Sequence, residues 1–108
     1  MNYQRGRTLQ EATTTLAAAD VIASAKRFFG RRNGIYTAFL EKEGDGWASF
    51  RGQGGEEVVI GTAPAEAGTR VSGSTYLFDQ QVARFLSTLP TKISLVDADV
   101  DETAGVAG

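Results

Sequence analysis

The stretch Tyr76–Leu89, YLFDQQVARFLSTL, decides how the rest of the chain is read. Phe78, Val82, Phe85 and Leu89 recur at i, i+4, i+7 and i+11, with Leu86 beside them. That is the apolar stripe of a helix lying on a sheet. Asp79 sits where a first-turn carboxylate favours the positive end of the helix dipole, and Pro90 stops the helix. The opposite face, Gln80, Gln81, Arg84 and Ser87, is polar and carries no catalytic pattern. A helix that is apolar on one side only needs a second layer to cover it.

Working back from that helix, Thr69–Tyr76 reads as a strand running straight into it, and residues Pro64 to Gly68 read as a polar loop. Glu56 to Thr62 is a strand that alternates Glu57 and Val59 against Val58 and Ile60. Gln53-Gly54-Gly55 makes the turn before it. Trp47 to Gly52 is a strand with Trp47, Ser49 and Arg51 on one side and Ala48 and Phe50 on the other. Gly44-Asp45-Gly46 joins it to an aromatic and β-branched strand, Ile35 to Glu43.

Upstream the period changes. Ala18, Ile22, Ala25 and Phe29 fall on one helical face, adjoined by Val21 and Phe28. Lys26, Arg27, Arg31 and Arg32 gather toward its C-terminal end, and Asn33-Gly34 supplies the left-handed closing residue. An N-terminal strand lies within residues 3–16, around the β-branched cluster Thr13 to Thr15. The expected fold is therefore α+β, β-α-β-β-β-β-α, with an antiparallel sheet of about five strands and two helices on one face. Residues 1–96 form the single domain and 97–108 an acidic flexible tail, although Ile93, Leu95 and Val96 could add a short extended piece.

The chain has 108 residues, enough to bury one core without metal or cross-links. It has neither cysteine nor histidine. A disulfide, a zinc-thiolate site and a thiol nucleophile are excluded, and so is the usual general base near neutral pH. No apolar run reaches membrane length, and the N-terminus lacks the apolar segment of a signal peptide, so a cytoplasmic protein is the default expectation.

Strand and helix, then an antiparallel meander, then a C-terminal helix in the sheet's curve: this order resembles the helix-grip fold of the START and polyketide-cyclase-like (SRPBCC) superfamily. The resemblance is carried by LAAADVIASAKRFF, by the meander from Ile35 to Tyr76 and by SGSTYLFDQQVARFLSTL, over roughly residues 3–90. With fewer strands and only one helix before the meander, the chain resembles a truncated member. The resemblance implies an apolar ligand enclosed between sheet and last helix. The residues placed to line such a site are Tyr36, Leu40, Phe50, Ile60, Phe78, Val82 and Phe85, and the same side chains could equally pack to native density.

Other patterns are weaker in chemistry. GQGGEE, Gly52 to Glu57, lies between two strands and lacks a lysine, so it reads as a hairpin turn and not as a phosphate cradle. Glu41, Glu43, Glu56 and Glu57 flank the turns as solubilising edge charges. Asp97, Asp99 and Asp101 imitate the start of a calcium loop, but Glu102 and Gly108 stand where glycine and glutamate are required, so no metal or cofactor is expected. The function read from these residues is a non-catalytic module binding a small apolar molecule or a protein partner. Two alternatives stand beside it: a single-stranded nucleic-acid module using the basic first helix, with Trp47 as a stacking platform if exposed, and a homodimer formed through Ile35–Glu43 at a sheet edge.

Overall fold

The computed structural model describes residues 7–30 and 37–91. The elements are β1 (Arg7–Thr14), α1 (Ala18–Gly30), β2 (Ala38–Gly44), β3 (Trp47–Gly52), β4 (Glu57–Ala65), β5 (Gly68–Tyr76) and α2 (Asp79–Ser87). The strands form one sheet in the order β1-β5-β4-β3-β2, antiparallel at every junction. This is the α+β, β-α-β-β-β-β-α architecture read from the sequence, with β1 and β2 at the two edges.

Both helices cover the same face. Alternation along the strands sends Ala48 and Phe50 of β3, Val58 and Ile60 of β4 and Val71 of β5 into a core with Val21, Ala25 and Phe29 of α1 and Val82, Phe85 and Leu86 of α2. Phe29 stands at the centre, with ring centroids 5.1 Å from Phe28, 5.2 Å from Phe50 and 5.4 Å from Phe85. These separations suit tilted and edge-on aromatic contact, and they leave the rings packed on one another.

Several boundaries differ from the sequence reading. The last helix is shorter than Tyr76–Leu89. The strand β5 ends at Tyr76, where the sequence reading ended it, but the helix opens only at Asp79: Phe78 caps it and Leu89 lies beyond it, though Phe78 and Leu89 are both buried. The polar loop expected at Pro64 to Gly68 is mostly strand: Pro64 pairs with Thr69 and Ala65 with Gly68, leaving only Glu66 and Ala67 between β4 and β5. A proline fits there because the pairing of β3 with β4 ends at Trp47↔Gly61. The Thr62 N–H still donates to the Gly46 carbonyl at 3.0 Å, but beyond it no strand pairs with β4 on that side among the described residues, and a missing N–H costs no ladder bond there. The expected strand from Ile35 begins at Ala38; Tyr36, Arg31, Arg32 and Asn33-Gly34 lie outside the described residues, as do Ile93 to Val96 and the acidic tail.

Buried threonines fasten the corners. Thr14 Oγ1 donates to the Pro90 carbonyl at 2.6 Å and accepts from the Leu16 N–H at 3.3 Å, while the Thr15 N–H donates to the same Pro90 carbonyl at 3.1 Å. Thr75 Oγ1 donates to the Glu57 carbonyl at 2.7 Å and accepts from the Phe78 N–H at 3.3 Å. That bond fixes the turn from β5 into α2, where Leu77 takes a φ of 81°.

Candidate functional site

Two regions compete: the seam between α2 and the sheet, and the sheet face that carries no helix among the described residues. Of the residues expected to line the seam, Phe50, Ile60, Phe78, Val82 and Phe85 are all buried there. Tyr36 lies outside the described residues. Leu40 stands opposite Phe50 in register, but it is 43% exposed on an edge strand that bulges between Leu40 and Lys42. Of β2 only Ala38 is buried beneath the helices, and every residue from Phe39 to Gly44 is exposed, although Lys26 of α1 reaches Glu43.

The seam is closed at its middle. A Cβ built on Gly73 of β5 would stand 2.6 Å from Val82 Cγ1 and 3.5 Å from Ile60 Cδ1. Valine in a helix is confined to one preferred rotamer, so this methyl group cannot swing aside cheaply. The helix rests on the glycine backbone, and the space at this point is smaller than a methyl group.

The other face carries a row of charge. Cross-strand register aligns Arg7 with Tyr76, Tyr76 with Glu57, Glu57 with Arg51 and Arg51 with Phe39 across all five strands. Arg7 Nη1 donates to Glu57 Oε1 at 2.7 Å, and Arg7 Nε donates to Ser74 Oγ at 2.9 Å. Arg51 Nε lies 3.2 Å from Glu41 Oε2, and its Nη2 lies 3.6 Å from Glu57 Oε2. The result is an alternating chain, Arg7–Glu57–Arg51–Glu41. Hydrogen bonding to Glu41 and the charge of Glu41, with a smaller contribution from Glu57, hold Arg51 above the ordinary arginine value. Arg7, Leu9, Tyr76, Ser74, Glu57 and Arg51 line an open depression of about 600 Å³ on this face.

The four turn-flanking glutamates have partners of other kinds. Glu41 and Glu57 pair with arginines, Glu43 Oε1 lies 2.6 Å from Lys26 Nζ, and Glu56 Oε1 accepts from the Gly54 N–H at 2.9 Å. The last bond closes the GQGGEE turn as a hairpin connection. Among the described residues no group of three or more acidic side chains is placed to hold a metal ion, and every buried side-chain polar atom has a hydrogen-bond partner.

Trp47 is 38% exposed at the start of β3. It points to the same face as Arg51, with Ser49 between them. Sequence reading placed Arg51 and Glu57 on either side of a turn, which is signal enough for their cross-strand pairing. Arg7 lies 50 positions from Glu57 and had no such signal. No helix among the described residues is long and apolar enough to cross a membrane. No family model, curated protein or solved structure matches the chain.

Proposed function

We propose that this chain is a non-catalytic, cytoplasmic binding module of helix-grip-like build whose partner is a protein, docking on the exposed parts of the sheet. The observation that supports a protein over a small apolar ligand is the closed seam at Gly73, together with the phenylalanine cluster beside it. A ligand entering between α2 and the sheet would have to separate side chains already at packing distance. The sheet offers large apolar side chains elsewhere, with Leu9 64% and Phe39 56% exposed. They stand on the two opposite edge strands, so each edge presents its own exposed apolar side chain to a partner.

Titration with a medium-chain fatty acid, followed through the amide resonances of Gly73, Val82 and Phe85, tests the reading. No saturable shift is expected. Saturable shifts with a raised melting temperature would overturn it in favour of an internal apolar ligand.

One observation favours a second reading, a single-stranded nucleic-acid surface: Trp47 is 38% exposed on the same face as Arg51. The nearby cations are, however, engaged, Arg51 by Glu41 and Glu57 and Lys26 by Glu43. Retention on single-stranded DNA that falls with rising salt would establish this reading.

A further inference from the structure

Among the described residues the sheet has two edges, and they are built differently. On β2 the charges Glu41, Lys42 and Glu43 follow one another, the strand bulges between Leu40 and Lys42, and Lys26 reaches across to Glu43. Twofold pairing of this edge about Lys42 would set lysine against lysine and Glu41 against Glu43. Bulges and consecutive charges are how sheet edges resist pairing. The homodimer edge expected from the sequence, Ile35–Glu43, is thus the guarded one.

On β1, RTLQEATT, all eight residues pair with β5 in unbroken register. The strand has no proline, no lysine and no bulge, and Leu9 at 64% exposure is the most exposed large apolar side chain of the described residues. We infer that β1 is the docking edge and that its occupant is β1 of a second copy, paired antiparallel about a twofold axis at Leu9. This rests on the reading of the chain as a protein-binding module and names the partner.

The register follows from charge. A twofold axis perpendicular to the sheet keeps the helices of both copies on one side, so odd-numbered residues must stand opposite odd-numbered ones. Centring on Glu11 sets like charges together, and centring on Gln10 sets Leu9 against Glu11. Centring on Leu9 sets Leu9 against Leu9 and Arg7 against Glu11 on both sides of the axis. Arg7 spends Nη1 on Glu57 and Nε on Ser74, and Nη2 has no partner among the described residues, so it remains available to the opposing Glu11.

The helices fit as well. Thr8 Oγ1 donates to Asp79 Oδ1 at 3.1 Å and Gln10 Nε2 donates to the Asp79 carbonyl at 3.0 Å, while Val82 rests on Gly73. The helix α2 therefore lies over the β1–β5 pair, and the twofold axis brings two copies of it to about 10 Å apart, within the usual range for packed helices. A short strand pair alone falls below the roughly 800 Å² per partner of a stable interface, and the paired helices supply further surface.

Sedimentation equilibrium of the full chain is expected to show a mass rising toward twice 11.5 kDa with concentration. Leu9→Lys and Leu9→Glu, each placing like charges on the axis, are expected to weaken dimerisation by about tenfold or more without lowering the melting temperature of the dilute monomer. An equimolar mixture of the two is expected to recover association as a heterodimer, because lysine then faces glutamate. A wild-type chain that stays monomeric, or single variants that dimerise as well as wild type, would overturn the inference. Monomeric variants that fail to associate when mixed would overturn the Leu9 axis. A monomeric wild type leaves the closed seam and the protein-partner reading standing, whereas saturable fatty-acid binding would remove that reading whatever mass the chain shows.

Discussion

At the scale of single residues, Gly73 and Leu77 are used for opposite reasons. Gly73 matters for the side chain it lacks: Gly73→Ala drives a methyl group into Val82 and is expected to cost about 1–3 kcal/mol, read as a lower urea midpoint at unchanged slope. An unaltered midpoint would mean that slack remains in the seam. Leu77 matters for the conformation it is held in. A branched residue at a φ of 81° is strained, and 58% exposure leaves it little burial in return. Leu77→Gly is expected to stabilise the fold by about 1 kcal/mol, checked by thermal melting. Neither role was legible in the sequence. Gly73 is one unremarked residue of the strand Thr69–Tyr76, because its contact with Val82 exists only after the chain has turned. Leu77 falls inside the stretch Tyr76–Leu89 that reads as helix, where nothing marks a positive φ.

At the scale of elements, the pattern was legible wherever burial is local. Both helices carry their own apolar stripe, and β3 and β4 alternate cleanly, so their existence and inward faces followed from spacing. Boundaries were lost where a partner outside the element decides them. Read from spacing, the helical stretch opens at Tyr76, where the strand also ends, but Tyr76 pairs with both Arg7 and Glu57 and the helix waits until Asp79; Pro64 looks like a loop residue until the early end of β3 is known. The candidate site shows the same division. Periodicity placed Phe50, Ile60, Val82, Phe85 and the capping Phe78 on inward faces, and all five are buried, while Leu40 is exposed because how far the helices bury β2 is not written into that strand. The charge row is an element-scale feature with a modest expected weight. Its side chains are 28–46% exposed, so Glu57→Gln is expected to shift the urea midpoint only slightly, and less in high salt than in low. A large shift that persists in high salt would mean that the row carries more of the fold than screened surface charge can.

At the scale of the whole molecule, the sheet is completed at one edge by its first strand. Arg7 bonds Ser74 across 67 positions, and Thr14 and Thr15 hold Pro90 beyond α2. The meander from β2 to β5 can assemble through short turns, whereas β1 must wait for a long loop to close. Ala12→Gly, a substitution within β1, is therefore expected to speed unfolding and leave the refolding rate nearly unchanged in stopped-flow measurements. A matching loss in refolding rate would place β1 in the nucleus. The same connectivity bears on synthesis. A nascent chain leaving the ribosome extrudes RTLQEATT long before β5 exists, so the segment readiest to pair stays bare the longest, and that is where a holdase would bind or polysome neighbours would tangle.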